Sequence, residues 1–338
     1  MQIALDKKEN TELKACGKKT KELFTSGITC NALLVLESMG VLQLLAEKNR
    51  LSEEHEIIRT RNALVINAAL KALCRSGLLD QRSEKDITIY TLTDFGRDVL
   101  NHIGSFTLWF GGYRNFLANQ VQIAMSAKNV LSEEHTDGAA VARSSALLGR
   151  QCVDAEVTNF ISEINPKGRV CDLGCGDGSR LIRICKMTQT TGLGIDFSEG
   201  AILEALAQPQ TQKKKVKFEK ADVIKLNEQM PDVDIFMQAF LSHHFLPDSL
   251  CCEVFQHYKE IFPSARYCLL LDTIDEEQDY LGPEIFYPGF EYIHSLRGVK
   301  PRSYSKIIEL FDIAGFSIEK EVKLPIPNSY FWGLKINR

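Results

Sequence analysis

No Cys-x-x-Cys pair occurs in this chain, although it carries ten cysteines. That absence excludes the zinc-knuckle spacing and the dithiol redox motif. The cysteines are scattered, with Cys251 and Cys252 adjacent, so no disulfide framework is expected and the pattern reads as a reduced, cytoplasmic protein. Charge of one sign is also lacking. The net charge is −4, so no global field recruits nucleic acid or an anionic membrane. Long hydrophobic runs are missing: Cys268-Leu-Leu-Leu271 is strand-length and far short of a membrane span. The N-terminal MQIALDKKENTELK is charged and lacks a secretory core. There is no internal repeat or low-complexity segment, and Lys213-Lys-Lys215 reads as a short solvated turn.

What is present is concentrated at Val170-Cys-Asp-Leu-Gly-Cys-Gly-Asp-Gly178. An apolar strand ends there in an acidic residue and opens into a glycine-rich turn. A second strand end follows at Gly192-Leu-Gly-Ile-Asp196. Together they form a nucleotide-binding βαβ pattern, in which Gly174 and Gly176 let the backbone approach a ligand and Asp196 accepts ribose hydroxyls. Asp172 inside the strand end would repel a pyrophosphate but suits an ammonium group. That chemistry favours S-adenosylmethionine over a dinucleotide, and the spacing resembles the first motif of class I methyltransferases.

At 338 residues the chain is long enough for about two domains. Residues 16–48 predict one or two amphipathic helices with Ile28, Leu33, Leu34, Leu36 and Leu42 in the core. Residues 57–77 predict another helix, ended by Gly77. Leu78-Leu-Asp80 and Ile87-Thr-Ile-Tyr-Thr-Leu92 predict a β-ribbon, and Thr93-Asp94 caps the next helix. Helices followed by a ribbon form a winged-helix pattern. A DNA-binding winged helix, such as a regulator that senses S-adenosylmethionine, needs a basic footprint. Basic and acidic side chains are nearly equal in the first 105 residues, and Ala63 to Cys74 offers only Lys71 as a cation. The pattern instead resembles the dimerisation domain of small-molecule O-methyltransferases.

Residues 106–165 predict helices that bridge the domains and cap the pocket. From 166 onward, strands at 168–173, 192–196, 216–220, 233–238, 266–272, 315–323 and 330–336 alternate with helical stretches. That order predicts an α/β fold with a Rossmann-like doubly wound sheet and a C-terminal hairpin. The division expected is therefore 1–105, 106–165 and 166–338.

Asp222 follows the third of these strands, where class I methyltransferases place an acidic residue for the adenine amino group. Phe197, Val223 and Gln238 are expected beside the cofactor. The fourth strand runs into Ser242-His243-His244-Phe-Leu-Pro247, and ligands bind beyond the carboxyl ends of such strands. An imidazole there suits proton transfer near neutral pH. Either His243 is a general base for a hydroxyl acceptor, as in metal-independent O-methyltransferases, or it is a metal ligand with a partner elsewhere, for which His294 is the candidate.

Together with Ile261-Phe-Pro-Ser-Ala-Arg-Tyr-Cys-Leu-Leu-Leu-Asp272 and Pro288-Gly-Phe-Glu-Tyr-Ile-His-Ser-Leu-Arg-Gly298, these motifs resemble the metal-dependent 2-oxo acid C-methyltransferases of the phenylpyruvate and 2-ketoarginine type. The resemblance spans residues 15 to 335. It implies an S-adenosylmethionine-dependent enzyme that methylates the β carbon of a 2-oxo acid through a metal-stabilised enolate. The expected product feeds β-methyl amino acid, specialised-metabolite or antibiotic biosynthesis. It also implies a homodimer, with no nucleic-acid or membrane partner.

In the family, residues matching His243 and His294 hold one metal, iron or another divalent transition metal. This chain departs from the family at His244, where the phenylpyruvate branch has an acidic residue. His244 is thus a candidate proton acceptor, water orienter or third ligand. A carboxylate-gripping arginine of that branch falls near His135, leaving Arg143 and Arg150 as substitutes, while Trp109 matches a pocket aromatic. The substrate side chain stays open, since aromatic residues favour an aromatic acid while Glu276 and Glu277 suit a guanidinium.

Overall fold

The computed structural model describes residues 2–125, 136–208, 215–276 and 285–337, with side chains from residue 16 onward. The chain divides into two compact units, Met1–Phe106 and Thr107–Arg338. Residues 107–125 and 136–165 of the expected linker-and-cap segment belong to the second unit; His135 and Glu277 lie outside the described residues.

The first unit contains α1 (Gln2–Ser38), α2 (Val41–Lys48), β1 (Leu51–Ser52), α3 (Glu56–Arg59), α4 (Ala63–Arg75), β2 (Leu79–Glu84), β3 (Ile87–Leu92), α5 (Asp94–Asn101) and α6 (Ile103–Phe106). Its antiparallel sheet has the order β1-β3-β2, so the expected ribbon gains a short third strand. The helix expected over 57–77 is broken between α3 and α4. Asn62 accepts from the Val65 N–H and starts α4 afresh, which is the usual work of an asparagine N-cap. Thr93 caps α5 by accepting from the Gly96 N–H at 2.9 Å. Leu33, Leu36 and Leu42 are buried, but Ile28 is 48% exposed. The buried stripe of α1 instead runs through Thr29, Ala32, Leu33 and Leu36, one residue out of phase with Ile28.

The second unit opens with a π-helical turn (Thr107–Gly112), then α7 (Arg114–Met125), α8 (Gly138–Cys152) and α9 (Asp154–Ile164). Alternation follows: β4 (Arg169–Leu173), α10 (Ser179–Thr188), β5 (Gly192–Asp196), α11 (Glu199–Leu206), β6 (Val216–Lys220) and β7 (Val233–Ala239). Then come α12 (Asp248–Ile261), β8 (Tyr267–Thr273), α13 (Phe286–Leu296), α14 (Tyr304–Ile313), β9 (Phe316–Lys323) and β10 (Ser329–Ile336). The seven-stranded sheet has the order β6-β5-β4-β7-β8-β10-β9. β4 to β8 pair in parallel, whereas β10 is antiparallel to β8 and β9. This is the class I methyltransferase sheet with its terminal hairpin.

The central strands are buried on both faces, which is why they read as unbroken apolar runs. Alternate residues serve opposite layers. Cys171, Cys268 and Leu270 pack with Phe255, Tyr258 and Phe311 from α12 and α14. Val170, Leu269 and Leu271 pack with Phe160, Leu181 and Phe290 from α9, α10 and α13. The edge strand β9 is mostly exposed and charged, which discourages further strand pairing. No single helix among the described residues is long and apolar enough to cross a membrane.

Candidate active site

The strand order reverses between β4 and β7, so a crevice opens at their carboxyl ends. Asp172, Gly174, Gly176, Asp196 and Gln238 all end strands there or follow them directly. Gly178 has φ +69°, and an added Cβ would lie 2.3 Å from the Phe218 ring, so only glycine serves at this turn. Asp196 accepts from the Gly176 N–H at 3.0 Å and the Ser198 N–H at 2.9 Å, which ties the second strand end to the turn. Burial raises its pKa against those two donors.

Asp172 is buried, and neither carboxylate oxygen has a hydrogen-bond partner among the described residues. Burial is the main cause that lifts its pKa to about 7, with Asp196, Asp154 and Asp177 adding to the rise and Arg180 opposing it. Both polar ends of buried Gln238 are likewise unpartnered. Buried polar atoms without partners are rare. A carboxylate and an amide left so at a strand-end crevice fit a ligand that brings an ammonium group and further donors, as S-adenosylmethionine does. Val223 is buried, and Phe197 is exposed beside Asp196. Asp222 accepts from the Ile224 N–H at 3.1 Å and pairs with Lys225 at 2.8 Å.

Immediately past β7, Phe240 adopts φ +53° and turns the chain into a short 3₁₀ segment, Ser242–His244. An added Cβ at Gly174 would stand 3.3 Å from Leu241, so this loop lies against the glycine turn. Arg302 fastens the loop from behind. Its buried guanidinium donates to the Ser242 carbonyl at 2.9 Å, to the Phe245 carbonyl, and to Asp248 at 2.7 Å.

Asp272 at the end of β8 completes the support. It accepts from His243 Nδ1 at 2.6 Å, from the His243 N–H at 3.0 Å, from the Thr273 N–H at 2.9 Å and from the Ser242 hydroxyl. Burial opposes its ionisation, but His243 and the donors from His243, Ser242 and Thr273 together hold its carboxyl below the usual range. An ionised carboxylate only accepts, so His243 donates from Nδ1 and turns Nε2 outward.

His294 stands on α13, and its Nδ1 donates to the Phe290 carbonyl at 2.7 Å, one helical turn back. Its Nε2 is therefore also turned outward, and the two Nε2 atoms face each other at 3.2 Å. Burial, then His243, pushes the His294 pKa down to about 3. His244 completes a trio whose ligand atoms lie within 4.8 Å of one another. Burial, then His243, His294 and Arg297, moves its pKa far below the ordinary imidazole range, so it is neutral. Two ring nitrogens at this distance share either a proton or a metal ion. Tetrahedral bonds of about 2 Å set imidazole ligand nitrogens ~3.3 Å apart, so the donor set fits a metal ion.

Aromatic rings wall this trio. Phe290 stacks on His294 with centroids 4.0 Å apart, and Trp109 meets His294 edge-on at 6.3 Å. Trp109 lies so close over Gly289 that a Cβ there would fall 2.3 Å from the indole. Arg143 is exposed and pairs with Glu204, and Arg150 is exposed on α8. Neither makes a described contact with the histidines. Sequence reasoning missed the supporting roles of Asp272 and Arg302. For Asp272 a signal existed: an acidic residue ends the otherwise apolar strand Tyr267–Thr273.

Comparison with known proteins agrees with this architecture. A family profile described as a methyltransferase domain matches residues 164–284. Indolepyruvate C-methyltransferase of Streptomyces griseus is 36% identical over 319 residues, covering 93% of this chain and 94% of that protein. Human N-acetylserotonin methyltransferase, solved with S-adenosylmethionine, superposes with a TM-score of 0.63 at 16% identity, over 95% of this chain and 98% of that one. The mitomycin 7-O-methyltransferase structure gives a TM-score of 0.61 at 13% identity, over 96% and 99%. These two structures share the fold, while the Streptomyces relative aligns over nearly the whole chain. The chain belongs to the 2-oxo acid C-methyltransferase family of class I S-adenosylmethionine-dependent enzymes.

Proposed function

We propose that this methyltransferase moves the sulfonium methyl group of S-adenosylmethionine to the β carbon of a 2-oxo acid, with a metal ion held by His243 and His294. The observation that carries the reading is the pair of Nε2 atoms facing each other at 3.2 Å, each on a ring whose Nδ1 is already engaged, with His244 completing the trio. The Streptomyces relative is named for indolepyruvate, and the rings of Trp109, Phe286 and Phe290 beside the histidines suit an aromatic acid of that kind.

A β proton of a ketone leaves poorly at neutral pH, and the metal supplies Lewis acidity toward the keto oxygen. The chain's own groups do the rest. Asp272 keeps the His243 ring in its ligating tautomer. His244, whose ring centroid lies 4.2 Å from that of His243, orients a water that takes the β proton as its C–H bond breaks. Asp172 and Asp196 hold the cofactor so that its methyl lies in line with that carbon, with Gln238, Asp222, Val223 and Phe197 around it. The carbon–methyl bond forms as the sulfur–methyl bond breaks, leaving S-adenosylhomocysteine. The β-methylated 2-oxo acid then suits transamination to a β-methyl amino acid for a specialised metabolite. Exposed Phe24 on α1 and Leu64 on α4 support a homodimer built through the first unit.

The test is metal content of the purified enzyme, with turnover of phenylpyruvate and indolepyruvate before and after chelation. About one metal per chain, and turnover lost on chelation and restored by metal, is expected. His294→Ala should abolish turnover while S-adenosylmethionine still binds. One observation favours a second reading: the Asp272–His243 dyad also has the form of an acid–base pair for a hydroxyl acceptor. Under that reading chelators do nothing and His294 is dispensable.

A further inference from the structure

Arg297 lies one helical turn beyond His294, and its backbone N–H donates to the His294 carbonyl at 3.0 Å. Residues at that spacing leave a helix on the same side. The half-buried guanidinium stands beside the Tyr113 hydroxyl and within electrostatic reach of His244 and His294. Among the described residues Arg297 has no carboxylate partner, although neighbouring Lys300 pairs with Asp275 and Arg302 with Asp248.

A second donor near the same rings is also unsatisfied. The buried indole N–H of Trp109 has no acceptor among the described residues. Its ring lies 5.7 Å from Tyr113 and 6.3 Å from His294. Tyr113 thus has the guanidinium beside its hydroxyl and the indole stacked on its ring. A guanidinium with no carboxylate partner among the described residues and a buried indole N–H without an acceptor there leave room for one anion. A planar carboxylate suits them, because a guanidinium can hold both its oxygens.

We infer that Arg297 grips the carboxylate of the 2-oxo acid, with the Trp109 indole N–H as a neighbouring donor. The inference rests on the 2-oxo acid reading above and adds the group that selects an acid over its neutral analogues. Arg297 then sets the end of the substrate that carries the charge, and the keto oxygen is left toward His243 and His294. Arg143, already paired with Glu204, is not needed for this task.

The test is equilibrium binding of phenylpyruvate and of its methyl ester by calorimetry, in the wild-type enzyme, Arg297→Met and Arg297→Lys, with initial rates measured alongside. Loss of a charged hydrogen bond should weaken phenylpyruvate binding by about ten- to a hundredfold in Arg297→Met. Affinity for the ester and for S-adenosylmethionine should stay the same, which also shows that the variant is folded. Arg297→Lys should recover part of the loss. The carboxylate is held equally before and during reaction, so KM rises while kcat is retained. Wild-type affinity for phenylpyruvate in Arg297→Met, with methylation intact, would overturn the inference and leave the function standing. Arg297-dependent binding without any methylation by wild type would support the grip and overturn the methyl-transfer reading. A wild type that neither binds nor methylates phenylpyruvate would overturn both.

Discussion

Asp172 shows how one buried group couples folding to cofactor binding. Burial lifts its pKa from 3.8 to about 7. Between those values the folded chain holds a proton that the unfolded chain has released. The stability this contributes is fully present below pH 3.8 and is lost as pH rises through about 7. A shift of this size corresponds to on the order of 4 kcal/mol. Asp172→Asn should therefore make the cofactor-free protein more resistant to urea at pH 8 and flatten its pH dependence below that. The same substitution should weaken S-adenosylmethionine binding, because the carboxylate that would meet an ammonium group is gone. Urea titrations at several pH values, with calorimetry of the cofactor, measure both effects. The residue was legible in the sequence because a carboxylate stood inside an apolar strand end. Its unpartnered state was not, since that depends on every neighbour brought to it.

At the scale of elements, the histidine loop is held more firmly than a surface turn needs to be. Phe240 takes a left-handed backbone conformation to leave β7, and Arg302 ties the Ser242 and Phe245 carbonyls to Asp248. Removing that guanidinium leaves the buried Phe245 carbonyl without a donor among the described residues and the Ser242 carbonyl with the Phe245 N–H alone. Arg302→Met should lower stability by about 2–3 kcal/mol in urea unfolding. If the proposed metal is bound, the same variant should retain less of it after dialysis, because His243 loses its fixed position. In the seven-stranded sheet strand bounds were legible to within a residue, since central strands buried on both faces stand out as apolar runs, whereas the ribbon strand expected at 78–80 extends as the exposed β2 to Glu84. The break between α3 and α4 was not, because the apolar period continues across it and only the Asn62 cap marks the new start.

Over the whole molecule, the two units divide the work. The second carries the strand-end crevice and the histidine trio. The first presents apolar side chains on its surface, with Phe24 72% and Leu64 84% exposed. If that surface joins two copies, light scattering should give about twice the chain mass. Phe24→Glu combined with Leu64→Glu should shift the protein to monomers, because two buried carboxylates cannot be paired there. A wild-type protein that stays monomeric at high concentration would remove the homodimer from the proposal.

The sequence by itself determined the order of strands, the cofactor turn and the His243 loop. Each is a local pattern of apolar period, glycine and acid that physical chemistry reads within a few positions. His294 came only with the resemblance to a family. Tertiary structure alone decided that Asp272 would accept from His243 Nδ1, that the two Nε2 atoms would face each other, and that Arg297 would stand near them with no carboxylate partner among the described residues. The histidine contacts join residues far apart in the chain: β8 beside β7 brings Asp272 to His243, and the packing of α13 beside the loop after β7 brings His294 to it.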